Sequence, residues 1–191
     1  MSKVINNLKE ALQGESEAQY KYNLYADKAK QENHHAMAHL FQAVAFAESR
    51  HIKNHLRALS VLTGRDVELE EVIKLDKQKL KDKIKDTISN LQDAVDGEIY
   101  ETKKMYKDFE KNASSEGESV PELSFSLARE AEQVHANIFS KYLKALKKGK
   151  KIEEKKIYVC TICGNIEFME PPDECPVCDH SRQFYDEIEY K

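Results

Sequence analysis

The sequence predicts an all-α four-helix bundle followed by a small module that binds metal through cysteine. Over the first 147 residues, apolar residues recur with a helical period, and Pro121 is the only proline. A segment of about 20 residues between Gly64 and Asp86 divides the predicted helices into two pairs. All four cysteines of the 191-residue chain lie in its last 32 residues.

The predicted helices have suitable terminal residues. Ser2 can cap the first helix, because its side chain can accept hydrogen bonds from free backbone N–H groups. Pro121 fits the first turn of the fourth helix, where no backbone donor is needed. Short connections within each pair predict antiparallel hairpins, and the long segment between the pairs predicts a crossover with room for a short helix; this topology is ferritin-like. The expected ranges are about 2–30, 34–64, 87–109 and 121–146.

An internal repeat relates the two hairpins. Residues 7–15, NLKEALQGE, align with residues 90–98, NLQDAVDGE, with five identities in nine at an offset of 83. Four residues of the second helix recur in the fourth at an offset of 84: Phe41, Ala47, Glu48 and His51 as Phe125, Ala131, Glu132 and His135. Because the repeated residues include acids and imidazoles, the duplication indicates a shared chemical role.

Five glutamates and two histidines interrupt the apolar helix faces. A carboxylate is rarely buried without a partner, because its desolvation costs several kcal/mol. Residues three apart share a helix face, and all four helices contribute to the set. Two divalent cations would neutralise most of a charge of roughly −5. The pattern predicts a two-metal site, with iron or manganese, formed by Glu15, Glu48, His51, Glu98, Glu101, Glu132 and His135.

Other polar residues have less specific interpretations. A single Glu-x-x-His motif is usually a solvated face or an intrahelical pair, so the two copies in register carry the argument. Tyr22 and Tyr106 lie near the same faces and could donate hydrogen bonds to ligating carboxylates, with a packing role as the equal alternative. The offset of 83 pairs Glu101 with Ala18, or with Glu17 if the gap is placed differently, and we interpret this as an extra carboxylate in one half of the site. His55 is expected to be structural, and the remaining histidines are expected at the surface or as caps: His34, His35, His39 and His180.

The cysteines form two C-x-x-C knuckles. Eleven residues separate Cys160-Thr-Ile-Cys163 from Cys175-Pro-Val-Cys178. Four thiolates suit one tetrahedral zinc or iron ion, and a module of about 35 residues needs such a staple to fold. The charged run before the module predicts a linker, so the expected division is a bundle at 1–148, a linker at 149–156 and the cysteine module at 157–191. Four aromatic residues are expected to form the module's small core: Tyr158, Phe168, Phe184 and Tyr185.

Composition excludes several classes of function. The 30 basic and 34 acidic residues leave a net charge of −4, which argues against a nucleic-acid-binding surface. No apolar run approaches the roughly 18 residues that a membrane span requires, and the N-terminus lacks the apolar segment of a signal peptide. We therefore expect a soluble cytoplasmic protein, in which reduced cysteines are more suited to metal than to disulfides.

Taken together, these motifs resemble the rubrerythrin family over essentially the full chain. The resemblance implies a ferritin-like di-iron bundle followed by a rubredoxin-like domain with one iron on four cysteines. It also implies that Glu48 and Glu132 bridge the two irons and that Tyr22 and Tyr106 support the ligands. Its specific sequence matches are Gly14-Glu15-Ser16, Glu48-Ser49-Arg50-His51, Gly97-Glu98-Ile99-Tyr100-Glu101, Glu132-Gln133-Val134-His135, the stretch from Tyr158 to Gly164, and Cys175-Pro176-Val177-Cys178.

The resemblance also implies unequal metal positions. Glu15 and Glu101 would serve one iron, while Glu98 and His135 would serve the other. His51 would replace Glu101 at the first iron when the site is reduced.

The implied reaction is the reduction of hydrogen peroxide to water, as protection against oxidative stress. Electrons from NAD(P)H would arrive through a donor protein, such as a rubredoxin or its reductase, and then through the Fe(Cys)4 centre. The resemblance further implies a homodimer in which the tail of one subunit approaches the bundle of the other. A ferritin-like iron-storage protein with ferroxidase activity and a structural zinc tail is the main alternative. A manganese catalase-like site is disfavoured, because dismutation needs no external electron relay.

Overall fold

Four long helical rods form the first part of the computed structural model, which describes residues 2–190. Two short helices lie in the crossover between the hairpins, so the all-α ferritin-like bundle with a long crossover is confirmed. A π-helical segment, Glu101–Met105, joins two helices into the third rod. The helices are α1 (Lys3–Gln31), α2 (His35–Thr63), α3 (Leu69–Val72), α4 (Lys77–Lys81), α5 (Thr87–Tyr100), α6 (Tyr106–Glu116) and α7 (Ser119–Leu146).

The predicted terminal signals are present. The Ser2 hydroxyl oxygen accepts hydrogen bonds from the backbone N–H groups of Val4 and Ile5, at 3.1 and 3.4 Å. Helix α2 ends at Thr63 and is capped by Gly64, whose φ of 68° is left-handed and therefore favours a residue without a Cβ. Local sequence thus accounts for the main limits of the long helices.

The third rod differs from the uninterrupted α-helix that its pattern predicts. Across Glu101–Met105 the helix widens, and the backbone N–H of Tyr106 donates to the carbonyl of Glu101, five residues earlier. A π turn accommodates one residue more than the α-helical turn it replaces. This extra residue explains why the repeat offset changes from 83 before the segment to 84 after it.

The tail forms a small antiparallel sheet. Its strands are β1 (Ile157–Cys160), β2 (Ile166–Phe168) and β3 (Tyr185–Ile188), in the order β2-β1-β3. The side chains of Ile157, Val159 and Ile166 are buried in one apolar cluster with residues of the long helices. The prediction of an aromatic core is confirmed for two of its four members: Tyr185 is buried beside the cysteines, and Tyr158 packs against the same cluster. It is wrong for Phe168, which packs against the helix cluster, and Phe184 is only half-buried.

Histidines of α2 contact the end of the tail. His39 is buried, and its Nε2 lies 2.6 Å from the carbonyl oxygen of Ile188, so the prediction of a surface or cap role for His39 is wrong. His35 Nδ1 lies 2.9 Å from the hydroxyl of Tyr190. By contrast, His34 is at the start of α2 and His180 is exposed, as expected. Within residues 2–190, no helix has both the length and the apolar character needed to span a membrane.

Candidate metal centre

Six of the seven predicted bundle ligands meet in two overlapping groups at the centre of the bundle. Within each group, the potential ligand atoms lie within 4.8 Å of one another. Glu48 and Glu132 belong to both groups, as residues that bridge two cations would. One group is Glu15, Glu48, His51 and Glu132, and the other is Glu48, Glu98, Glu132 and His135.

Glu132 lies between the two imidazoles. Its Oε1 is 2.7 Å from His51 Nδ1, and its Oε2 is 2.7 Å from His135 Nδ1. His51 Nδ1 is also 2.9 Å from Glu48 Oε2. The imidazole rings are 5.9 Å apart between centroids. The Glu-x-x-His motif of α2 and its equivalent on α7 therefore each bring one carboxylate and one imidazole to the centre of the bundle.

Glu101 has a different position from the other predicted ligands. It is the first residue of the π segment, is only partly buried, and belongs to neither ligand group. Burial and the negative charges of Glu15 and Glu132 raise its pKa well above the usual value. Glu101 thus lies close enough to interact electrostatically with the cluster, but its carboxylate does not join the two four-residue groups.

Several buried ligand atoms have no hydrogen-bond partner among the described residues. Their close approaches to one another do not have hydrogen-bond geometry. Buried polar atoms are nearly always satisfied, so such a concentration needs an explanation. Cations among these atoms would satisfy them and would balance the carboxylate charge. The atoms are Glu15 Oε2, Glu48 Oε2, His51 Nδ1, Glu98 Oε2 and Glu132 Oε1.

The electrostatics of the cluster also favour cation binding. Burial and neighbouring carboxylates raise the pKa of Glu48 well above its usual value, and burial and Glu132 raise the pKa of Glu98 to about 8. Burial opposes the ionisation of Glu132, but the adjacent His51 and His135 lower its pKa overall. Without a cation, the cluster therefore retains protons on some carboxylates, and a bound cation would replace them.

Both predicted tyrosines donate to carboxylates of the cluster. The Tyr22 hydroxyl donates to Glu98 Oε1 at 2.6 Å, and the Tyr106 hydroxyl donates to Glu15 Oε1. In each carboxylate the other oxygen, Oε2, is one of the unpartnered atoms. The tyrosines therefore hold one oxygen and leave the second available for a cation.

The four cysteine sulfur atoms form a second candidate metal site. All four Sγ atoms lie within 4.8 Å of one another. Cys160 Sγ is 3.6 Å from Cys178 Sγ, and Cys163 Sγ is 3.6 Å from Cys175 Sγ. A tetrahedral ion with bonds of about 2.3 Å separates its sulfur ligands by about 3.8 Å, so these distances suit an S4 ion and are too long for disulfides.

The first cysteine knuckle contacts the histidines of the bundle directly. His51 Nε2 donates to the carbonyl of Cys163, and His135 Nε2 donates to the carbonyl of Gly164, both at 3.0 Å. Because a carbonyl can only accept, each Nε2 carries a proton, and the Nδ1 that faces Glu132 is the nitrogen at which a cation would replace a proton. Asn54 adds a hydrogen bond from its Nδ2 to the carbonyl of Ile162, at 2.8 Å.

This contact lies within one chain, whereas the resemblance implies an approach between subunits. Sequence reasoning did not identify Asn54 or the imidazole–carbonyl pairs. The glycine at position 164 is the one signal in the sequence that points to this contact. Its φ is 84°, and a Cβ there would lie 2.7 Å from His51 Nε2. Glycine at this position therefore serves the docking of the knuckle as well as its turn.

The chain matches two family models, described as "Rubrerythrin" over residues 6–143 and "Rubrerythrin, rubredoxin-like domain" over residues 158–186. It is 32% identical to Rubrerythrin-2 of Clostridium acetobutylicum, over 90% of this chain and 89% of the relative. It is 33% identical to nigerythrin of Nitratidesulfovibrio vulgaris, over 91% of this chain and 81% of the relative. The structure of fully reduced, all-ferrous nigerythrin superposes with a TM-score of 0.84 at 29% identity, covering 98% of this chain and 87% of that one. On this evidence the chain belongs to the rubrerythrin family.

Proposed function

We propose that the chain is a non-haem di-iron peroxidase that reduces hydrogen peroxide to water. The observation that carries the proposal is the direct contact between the two candidate metal sites, through His51 with Cys163 and His135 with Gly164. When bound, iron at the carboxylate site would supply the two electrons for peroxide, and iron at the cysteine site would pass replacement electrons one at a time. An iron-storage site has no use for such a contact.

The site's residues suit a small, uncharged substrate. The carboxylates and imidazoles of the two ligand groups are at most 1% exposed. A buried set of negative charges excludes large or anionic substrates, and hydrogen peroxide is neither. Tyr22 and Tyr106 keep Glu98 and Glu15 in place, and the knuckle carbonyls keep both imidazoles in one tautomer. The chain thus prepares the ligand set before substrate arrives.

The assignment of individual ligands follows the geometry and the family resemblance. In the proposal Glu48 and Glu132 bridge the ions, Glu15 serves one ion, and Glu98 and His135 serve the other. Glu101 and His51 are proposed as alternative ligands of the first ion, which is consistent with the electrostatic interaction of Glu101 with Glu15 and Glu132. Cys160, Cys163, Cys175 and Cys178 hold the third ion.

The proposal extends to the source of electrons and the location of the protein. A donor protein, such as a rubredoxin or its reductase, would bring electrons from NAD(P)H to the cysteine site in the cytoplasm. From there the contact within one chain offers a route to the bundle. The homodimer with transfer between subunits stays a prediction of the resemblance.

One experiment tests the electron relay with matched forms of the protein. Zinc at the four cysteines keeps the S4 geometry but cannot change its oxidation state. Chain with iron in the bundle and zinc in the tail should reduce one equivalent of peroxide after chemical reduction, and should then stop despite added donor. Cys160→Ser should behave likewise, whereas chain with iron at both sites should continue. Donor-driven turnover by the zinc form at the all-iron rate would refute the relay.

Metal analysis separates the proposal from its alternatives. A peroxidase of this kind should contain three irons per chain, and its thiolate-to-iron absorption should bleach on reduction. Zinc in the tail of protein isolated from cells, with iron accumulating beyond a few ions per chain, would support storage instead. Manganese in the bundle and peroxide dismutation without donor would support the catalase-like reading.

A further inference from the structure

A buried polar chain runs from α7 to the Glu15 side of the metal centre. The Ser124 Oγ lies 2.7 Å from His55 Nδ1, and His55 Nε2 lies 2.9 Å from the Tyr106 hydroxyl oxygen. Tyr106 in turn donates to Glu15. Ser124 is 6% exposed and the other three residues are fully buried. Every member of such a chain must find a partner, because unsatisfied polar groups are costly in the interior.

Hydrogen-bond capacity fixes the direction of this chain. The Tyr106 proton is donated to Glu15, so the Tyr106 oxygen accepts from His55 Nε2–H. The Ser124 hydroxyl beside Nδ1 can donate to the ring, so His55 needs only the proton on Nε2. A neutral ring with its proton on Nε2 has an acceptor at Nδ1, and the Ser124 hydroxyl donates to it. All three donors therefore point toward Glu15.

The internal repeat provides a comparison within the same molecule. At the offset of 84, Tyr106 corresponds to Tyr22, His55 to Phe139, and Ser124 to Leu40. The equivalence is also geometric, since His55 lies 5.5 Å from the Tyr106 ring and Phe139 lies 5.6 Å from the Tyr22 ring, centroid to centroid. One half of the bundle thus has a polar pair behind its tyrosine, and the other half has an apolar pair.

This difference affects the two carboxylates unequally. A phenol that accepts a hydrogen bond becomes a stronger donor, because hydrogen bonds in a chain polarise one another. Tyr106 is held in this state by His55, whereas the ring of Tyr22 packs against Tyr25, Phe41 and Phe139. The Glu15 Oε1 is therefore held more firmly than the Glu98 Oε1, and in both carboxylates Oε2 is left free.

We propose that Ser124 and His55 are positioning residues that hold Tyr106 as a donor to Glu15 and so make the two cation positions unequal in affinity. The inference rests on the proposed metal centre. It concerns residues that were expected to be structural or were not singled out at all. If Ser124, His55 and Tyr106 were purely structural, they would serve only to pack α2, α6 and α7 together. Co²⁺ binding distinguishes this packing role from the positioning role.

The test measures Co²⁺ binding to the full chain by visible absorption, with thiolate bands reporting the cysteine site and weaker d–d bands reporting the bundle. The main variant, H55F/S124L, introduces the residues that the fold already contains at the equivalent positions Phe139 and Leu40. We expect it to bind one bundle Co²⁺ about tenfold more weakly, with the other unchanged, because loss of a supporting hydrogen bond typically costs tenfold or more in metal affinity.

Two further variants separate positioning from packing. His55→Gln keeps a donor near the place of Nε2 and should restore most of the lost affinity. Phe125→Leu reduces packing against His55 and Tyr106, whose ring centroids are 5.4 and 6.1 Å away, but leaves the hydrogen bonds intact. It should leave both bundle affinities unchanged.

The outcomes are distinguishable from failure of the metal centre itself. Wild-type chain that binds no Co²⁺ in the bundle would refute both proposals. Two wild-type bundle sites with unchanged affinities in H55F/S124L would refute only the positioning role. Equal losses of Co²⁺ affinity in Phe125→Leu and H55F/S124L would show that Ser124 and His55 act through packing, and would also overturn the positioning role.

Discussion

The substitution Gly164→Ala should separate the cysteine knuckle from the bundle. Gly164 has a φ of 84°, and an added Cβ would lie 2.7 Å from His51 Nε2 and 3.2 Å from the carbonyl oxygen of Ala47. The Ala47 oxygen belongs to the backbone of α2 and cannot move away. The knuckle must therefore retreat, which breaks the hydrogen bonds that His51 and His135 donate to it.

The size of the effect follows from these contacts. Alanine at a left-handed φ costs about 1 kcal/mol. Gly117→Ala is a matched control for this strain, because Gly117 has a φ of 75° with nothing within 4 Å of its added Cβ. The two lost hydrogen bonds add about 1 kcal/mol each. Relative to the control, Gly164→Ala should therefore favour the undocked state by about 2 kcal/mol, or roughly 30-fold.

Chemical labelling of the imidazoles measures undocking. His51 is 1% exposed, so reaction with diethyl pyrocarbonate requires the knuckle to open. The exposed His180 provides an internal standard for the reagent. Mass spectrometry should show His51 labelled roughly 30-fold faster in Gly164→Ala than in Gly117→Ala, provided that closing is faster than labelling. Equal labelling of His51 in the two variants would refute the docking argument.

Three further perturbations test other parts of the structure. Tyr22→Phe removes the hydroxyl that donates to Glu98 at 2.6 Å, and a Co²⁺ titration should show about tenfold weaker binding at one bundle position; unchanged binding would contradict the role of Tyr22. Cys175→Ser should unfold the tail and leave the bundle helical, as judged by loss of dispersed tail amide signals in NMR spectra with retained helical circular dichroism. Hydrogen bonds from Thr87 lower the pKa of Glu32, so its contribution to stability is present above the unfolded-state pKa and is lost as pH falls through the lower, folded-state pKa. Urea unfolding should accordingly show the advantage of wild type over Glu32→Gln shrinking between about pH 5 and pH 3, and a constant difference would contradict this linkage.

Local signals and the duplication account for what could be predicted. Ser2, Gly64 and Pro121 mark helix ends through interactions within a few residues, so their neighbours in sequence suffice. The repeat adds long-range information, because two copies of one motif must face each other across the bundle. That is why Glu48 and His51 could be paired with their equivalents on α7 from the sequence alone.

Features that depend on distant contacts could not be predicted. The π segment at Glu101–Met105 has no strong local signal beyond the change in repeat offset. The hydrogen bond from His51 to the Cys163 carbonyl joins residues 112 apart in sequence. The buried His39 is paired with the carbonyl of Ile188, 149 residues away. Solvent-facing and tail-facing positions of α2 look alike in sequence, since both tolerate polar side chains.

The consecutive carbonyls of Cys163 and Gly164 have a mechanical consequence. In an extended strand, successive carbonyls point to opposite sides, but the positive φ of Gly164 lets both meet the bundle. One accepts from the imidazole of the first hairpin and the other from that of the second. Movement of the knuckle away from the bundle would break both hydrogen bonds together, whereas tilting of the knuckle would lengthen one hydrogen bond as it shortens the other. Two successive peptide units can thus transmit a movement of the tail to the two hairpins, either in concert or in opposition.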